Sequence, residues 1–182
     1  KIVGVLRVTK PGNPLAATSE YPDLEERLKK EDIIPVEISR VAFSKQANGF
    51  LFSHFLQKII QDIFDQQIIK GETAKTYLIG TPSIPINQNE EYAKKIAQFA
   101  CNYLEKRWNP LLEPKGGWQP VNCDEITQKD LPPLIKTYHN SFSATLIGLP
   151  YIDNSFGSID VPVMVSLLDA KRVIDGLKSR KQ

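Results

Sequence analysis

A helical pattern of apolar residues over positions 44–70 constrains the fold more than any other part of the sequence. The apolar residues recur at intervals of three and four, as in a helix that buries one face. They are Phe52, Phe55, Leu56, Ile59, Ile60, Ile63, Phe64 and Ile68. Ser44 is suited to cap such a helix, which would be about 35 Å long at ~1.5 Å per residue. The pattern predicts a long amphipathic helix whose apolar face the rest of the chain must cover.

Composition favours a folded, soluble protein with one domain. The 182 residues are 41% hydrophobic and 24% charged, so the chain has enough apolar surface to offset its conformational entropy. This length predicts a single α/β domain over 1–182, with an irregular segment at 109–130. No apolar run reaches the ~18 residues of a membrane span.

The charge pattern gives little support to nucleic-acid binding. The net charge is +2, and the basic residues form one local cluster, near the C-terminus, made of Lys171, Arg172, Lys178, Arg180 and Lys181. Such a cluster is typical of a solvated helix end, where cations complement the helix dipole. Nucleic acid is therefore a weaker expectation than a protein or an anionic small molecule as the partner. The chain begins at Lys1, which leaves open the removal of a targeting segment.

The two cysteines leave two interpretations open. Cys101 falls on the buried side of a predicted helix, where a small core residue is the ordinary role. A disulfide with Cys123 is the alternative. This cysteine usage weakly favours a reducing compartment, and therefore the cytoplasm.

The order of predicted strands and helices indicates an α/β fold. Five segments are predicted as strands: 2–8, 33–38, 76–80, 144–149 and 158–165. Helices are predicted at 23–30, 44–70 and 89–108, after Asp130, and after Ser166. Strands that alternate with helices favour a mixed, mostly parallel sheet of about five strands flanked by helices.

Known catalytic signatures are absent from the sequence. It contains no nucleotide-binding glycine loop, no nucleophile elbow and no paired-histidine zinc motif. Its two histidines, His54 and His139, are far apart, so a metal would have to rest on carboxylates. We predict no cofactor and no metal, and the sequence leaves open whether the protein is an enzyme.

One group of residues offers an enzymatic alternative. Asp160, followed by Asp169 and Lys171, resembles the core of the PD-(D/E)xK nucleases. The resemblance implies a metal-dependent phosphodiester hydrolase that uses these three residues. The competing interpretation is that Asp169 and Ser166 form a capping box at the start of a helix.

A second resemblance involves both ends of the chain. The segments Val8-Thr9 with Gly12-Asn13-Pro14-Leu15, and Val161-Pro162-Val163 with Ser166 and Asp169-Ala170, are similar to parts of a translocon-associated family of the chloroplast inner envelope and its cyanobacterial relatives. This resemblance implies a chaperone-like role without catalysis.

A ligand site is predicted at the carboxyl ends of the first three strands. Parallel strands bring the loops after them to one edge of the sheet, where ligands bind in open α/β folds. These loops carry cations, hydroxyls and turn amides suited to an anion. The candidates are Lys10, Asn13, Arg40, Thr81 and Ser83. The sequence therefore predicts a soluble α/β binding or assembly protein without its own catalytic centre.

Overall fold

The fold is described by a computed structural model for residues 4–43, 57–63, 73–87, 89–125, 129 and 144–179. The helices in these residues are α1 (Leu24–Lys30), α2 (57–63), α3 (Glu90–Tyr103) and α4 (Leu167–Ser179). Single 3-10 turns lie at Ala16–Ser19 and Thr73–Lys75. No helix within these ranges is long and apolar enough to cross a membrane.

The described strands form two sheets. The longer strands are β1 (Gly4–Thr9), β2 (Ile34–Phe43), β3 (Thr76–Gly80) and β10 (Val163–Ser166). The short ones are β4 (Ser83–Pro85), β5 (Glu105–Lys106), β6 (Gln119–Pro120), β7 (Thr145–Leu146), β8 (Tyr151–Asp153) and β9 (Ser158–Asp160). Sheet A has the order β1-β2-β3-β10-β7-β5, and sheet B has the order β4-β9-β8-β6.

The prediction of one mostly parallel sheet was wrong, although the mixture of helices and strands was right. Only β2 with β3 and β5 with β7 pair in parallel among the described strands, and sheet B is antiparallel throughout. β1 runs antiparallel to β2. The seven-residue helix α1 between them spans only about 10 Å. The alternation of strands and helices in the sequence did not determine the direction of this pair.

The predicted strand 158–165 is divided between the two sheets. Its first part is β9 in sheet B, and its second part is β10 in sheet A. Pro162 lies between them, and a proline cannot donate a ladder hydrogen bond. The segment that contains β3 and β4 makes the same change of sheet at Pro82. The N–H of Val161 donates to the carbonyl of Pro82 at 3.0 Å, which joins the two crossing points.

The long helix predicted at 44–70 is described only over α2. There, Ile60 and Ile63 are buried and Lys58 is exposed, in the phase that the apolar pattern predicts. Residues 44–56 and 64–70 lie outside the described residues, and so does His54. His139 also lies outside the described residues, and so does the helix predicted after Asp130.

Three clusters of buried residues form the core. One covers the face of sheet A next to α1 and includes Tyr21, Tyr151 and Met164. A second covers the opposite face, where α2 and α4 contribute Ile60, Ile63, Leu167 and Ala170. The third lies between α3 and sheet B and includes Ala97, Ala100, Leu146 and Ile159. The core is therefore divided among these clusters, and the segments β3–β4 and β9–β10 connect the two sheets.

Helix α3 is shorter than predicted and is joined by a disulfide to the segment that follows β6. The Asn89 side chain caps it by accepting from the N–H of Tyr92 at 2.9 Å. The helix ends at Tyr103 rather than at Trp108, because Leu104 is already extended. Cys101 bonds to Cys123, with the two Cα atoms 5.7 Å apart. Disulfides are rare in the cytoplasm, so this bond removes the argument from cysteine usage for a reducing compartment.

Gly148 is a position where the fold has no space for a side chain. A Cβ atom there would lie 2.6 Å from Cε1 of Tyr21 and 3.1 Å from the carbonyl oxygen of Leu112. Tyr21 is fully buried, so its ring has little freedom to move away. We expect Gly148→Ala to destabilise the protein by about 1–3 kcal/mol in urea unfolding.

Gly116→Ala is the matched control for this change. Nothing lies within 4 Å of a Cβ atom at Gly116, so we expect a change of less than about 0.5 kcal/mol. Equal unfolding midpoints for the two variants would contradict the close packing of Tyr21 on Gly148.

Candidate functional site

The structure separates the two cations of the predicted anion site. In the β1–β2 pair, Thr9 lies opposite Glu37 and Arg7 lies opposite Ser39. Lys10 therefore follows β1 near the start of β2, whereas Arg40 lies in its second half. About four residues separate these levels, which is about 13 Å along a strand. The predicted site assumed that β1 and β2 are parallel neighbours, and these two strands are antiparallel.

Of the other three predicted residues, Thr81 stays near the level of Arg40, whereas Ser83 and Asn13 lie elsewhere. Thr81 follows β3, next to the level of Ser39 in β2. Ser83 belongs to β4 in sheet B, opposite Asp160. Asn13 donates from Nδ2 and from its backbone N–H to the carbonyl of Lys10, at 3.3 and 3.2 Å, and so stabilises a turn. Anion binding by any one of these residues stays a prediction.

The three residues of the nuclease alternative have separate partners. Asp169 lies on helix α4 and pairs with Arg172 at 3.4 Å, and Lys171 pairs with Asp175 at 2.5 Å on the same helix. Asp160 lies in β9 of sheet B. Within the described ranges, no group of three or more His, Cys, Asp or Glu side chains is arranged to hold a metal ion.

A different arrangement lies at the base of the hairpin formed by β8, the turn 154–157 and β9. Here Tyr151 lies directly opposite Asp160. The phenol of Tyr151 donates to Oδ2 of Asp160 at 3.0 Å, and the hydroxyl of Ser158 donates to Oδ1 at 2.8 Å. Tyr151 and Asp160 are both buried. The Asp160 carboxylate is therefore held by neutral donors inside the protein.

Glu20 faces the same phenol from the segment after the first 3-10 turn. Its Oε2 atom is buried and has no hydrogen-bond partner. A phenol has only one hydrogen to donate, and the hydrogen of Tyr151 goes to Asp160. Glu20 can satisfy its buried oxygen by carrying a proton and becoming a donor itself. We name Glu20, Tyr151 and Asp160 the carboxyl–tyrosine cluster.

The surroundings of this cluster favour neutral carboxyl groups. Burial raises the pKa of Glu20, and the negative charges of Asp160, Glu37 and Asp153 add to the increase, whereas hydrogen bonding with Tyr151, which Asp160 shares, opposes it. Burial also raises the pKa of Asp160, although hydrogen bonds from Ser158, Ser83 and Tyr151 oppose the shift. Both carboxyl groups therefore hold protons more tightly than they would in water.

Aromatic rings enclose Tyr151 on two sides. The ring of Tyr21 meets it edge-on, with centroids 5.8 Å apart, and the ring of Trp118 lies 4.5 Å away. The Tyr21 hydroxyl donates to the carbonyl of Leu149 at 2.9 Å. Trp118 therefore packs back onto the core.

The tip of the hairpin has the opposite character. Phe156 is 84% exposed, and it is the one large apolar side chain left in solvent among those that the structure describes. Oδ1 of Asp153 accepts from the N–H groups of Ser155 and Phe156, at 2.8 and 3.4 Å. Gly157 has a φ of 61°, which closes the turn without strain. The turn thus holds Phe156 in a defined place.

Sequence reasoning missed this arrangement, although part of its signal was present. The segment Asp153-Asn154-Ser155 consists of residues that favour turns, and Gly157 extends that signal. The short alternating runs on either side, 151–153 and 158–160, are the strands of a hairpin. Glu20 carries no local signal, because it reaches the cluster only through the tertiary fold.

Comparison of the chain with models of protein families, with curated proteins and with solved structures finds no match.

Proposed function

We propose that this chain is a protein-binding component that docks a partner through the tip of the β8–β9 hairpin, with Phe156 as the anchor. The observation that carries the proposal is the 84% exposure of Phe156 on a turn whose backbone is fixed by Asp153. Aromatic side chains dominate the binding energy of many protein interfaces. A turn that is already ordered loses little entropy when it binds.

The base of the hairpin supports this role. Tyr151, Asp153, Ser158 and Asp160 are buried, so both strands are attached to the body of the protein. The exposed aromatic residue is therefore presented on a rigid element rather than on a loose loop. Rigid presentation favours a partner with a preformed apolar pocket.

The hydrolase alternative has less support. It requires Asp160, Asp169 and Lys171 to act on one metal-bound substrate. Lys171 instead pairs with Asp175, and hydrogen bonds from Tyr151 and Ser158 already engage Asp160. A small-molecule anion also keeps less support, because the parallel edge on which that site depended is absent from the β1–β2 pair.

A photo-crosslinking experiment tests the proposed function. Benzoylphenylalanine at position 156 should give a crosslinked protein adduct in extract from source cells, and an excess of the unlabelled native chain should compete it away. The Phe156→Ser chain should compete at least about 30-fold less well, because losing a hot-spot residue costs about 2 kcal/mol or more. The same probe at Lys106, an exposed position in sheet A, is the control.

The proposal fails if the Phe156→Ser chain competes as well as the native chain. Urea unfolding of the Phe156→Ser chain must accompany the test, because a misfolded chain would also compete poorly. Phe156 is almost fully exposed, so we expect its replacement to change the free energy of unfolding by less than about 0.5 kcal/mol. An adduct of twice the chain mass would identify a second copy of this chain as the partner.

A further inference from the structure

We propose that the carboxyl–tyrosine cluster makes the packing of the β8–β9 hairpin sensitive to protonation. The hairpin stays packed on the body of the protein while Glu20 carries a proton, and it opens more readily when that proton is lost. The inference concerns the base of the hairpin and needs no partner. Only its consequence for binding at Phe156 rests on the proposed function.

The two carboxyl groups of the cluster need one hydrogen more than the phenol of Tyr151 can donate. Asp160 receives the hydrogens of Tyr151 and Ser158, and its carboxylate is satisfied as an anion. The buried Oε2 of Glu20 is left without a donor. A protonated Glu20 removes this unsatisfied acceptor, whereas an ionised Glu20 adds a second negative charge beside the same tyrosine.

Apart from the phenol of Tyr151, which already donates to Asp160, the groups around Glu20 offer no compensation for that second charge. The ionisable groups that raise its pKa are Asp160 on β9, Asp153 on β8 and Glu37 on β2, and all of them are acidic. Tyr21, the adjacent residue, is neutral, and burial raises its pKa further. Ionised Glu20 would therefore be driven towards water, away from Tyr151.

Movement of Glu20 would affect the hairpin through specific contacts. The carbonyl of Glu20 accepts from the N–H of Lys115 at 2.7 Å, so the segment that leads to Trp118 is attached to it. Trp118 packs on Tyr151, and the N–H of Val121 donates to the carbonyl of Pro150 at 2.7 Å, directly before β8. Glu20, the 115–121 segment and the hairpin base thus form one connected unit.

The direction of the pH effect follows from the raised pKa of Glu20. When the hairpin opens, Glu20 returns to the ordinary pKa of a glutamate, about 4.3. Below that pH, both states carry the proton and opening does not depend on it. Between that pH and the raised pKa, the opening equilibrium should increase by up to about tenfold per pH unit, and above the raised pKa it should level off.

Hydrogen exchange tests the inference on the isolated full chain. Exchange protection of peptides covering 151–160, corrected for the intrinsic rate at each pH, should fall in this window for the native protein. Glu20→Gln should lose less protection than the native chain, because the glutamine amide supplies a donor at every pH and only the raised pKa of Asp160 still acts in this window. Glu26→Gln, at an exposed position on α1, should keep the native profile.

Two results would overturn the inference. One is a Glu20→Gln chain whose hairpin loses protection with pH as the native one does. The other comes from the unchanged chain, in case the variant does not fold: a carbon-13 titration in which the Glu20 carboxyl shows the pKa of an exposed glutamate. Neither result depends on crosslinking at Phe156, so this inference and the proposed function can fail separately.

Discussion

Replacement of Glu37 by alanine is expected to lower the free energy of unfolding by about 3–5 kcal/mol. Glu37 is only 2% exposed, although it is a charged residue in the middle of β2. Its Oε2 accepts from the N–H of Ala16 at 2.9 Å, and its Oε1 accepts from the N–H of Ala17 at 2.8 Å. These N–H groups lie at the start of a 3-10 turn and have no partner within that turn. Alanine would leave both donors unsatisfied.

Urea unfolding of three variants separates the contributions to this effect. Glu37→Gln retains one carbonyl oxygen as an acceptor, so its cost should fall between those of the native chain and Glu37→Ala. Glu26→Ala removes an exposed carboxylate and should cost less than about 0.5 kcal/mol. If Glu37→Ala is no more costly than Glu26→Ala, then Glu37 does not hold the 3-10 turn.

The Glu37 contacts also connect β2 to the carboxyl–tyrosine cluster. The turn that Glu37 holds, Ala16–Ser19, is followed directly by Glu20. Loss of Glu37 would therefore free the segment that positions Glu20, and it would remove one of the negative charges that raise the pKa of Glu20. This double role makes Glu37 a positioning residue for the cluster.

Local rules explain which elements could be predicted from the sequence. The strand at 76–80, the start of α3 near Asn89 and the phase of the buried residues in α2 depend on neighbours in the sequence, and each agrees with the structure. Pro35 is suited to the edge or the start of a strand. It lies before the Glu37 level at which pairing with β1 begins, so it pairs with β3 alone.

The sheet topology could not be obtained from the same rules. Alternation of strands and helices favours parallel pairing, but β1 and β2 pair antiparallel. Pro162 was a local signal that should have divided the predicted strand at 158–165 into two. Which sheet each half joins depends on contacts with distant segments, such as β4 and β7.

The candidate site shows the same limit. The predicted anion site assumed a shared edge, and the reversal of β1 separates Lys10 and Asn13 from the level of Arg40 and Thr81. The cluster found instead brings Glu20 next to Tyr151 and Asp160, which are more than 130 positions later in the chain. Each residue alone resembles an ordinary strand or loop residue. Glu20 is distinguished by its buried Oε2 atom, which has no hydrogen-bond partner, and burial is a property of the fold.

Reduction of the Cys101–Cys123 disulfide is expected to lower the free energy of unfolding by about 3 kcal/mol. The bond closes a loop with a sequence separation of 22, and a loop of that size restricts the unfolded chain by roughly this amount. It also ties the segment after β6 to helix α3, where Asn102 Nδ2 adds a weaker bond of 3.0 Å to the carbonyl of Asp124. Urea unfolding of the native chain with and without a dithiol reductant measures the effect.

The double variant Cys101→Ala with Cys123→Ala is the control for this measurement. Cys101 is buried in the core between α3 and sheet B, so the variant carries a packing cost of its own in both conditions. The reductant itself should then leave its unfolding midpoint unchanged, whereas it should lower that of the native chain. A thiol titration of the denatured native chain must give no free thiols before reduction and two after it. If the reduced native chain unfolds at the same urea concentration as the oxidised one, the disulfide does not stabilise the contact of α3 with sheet B.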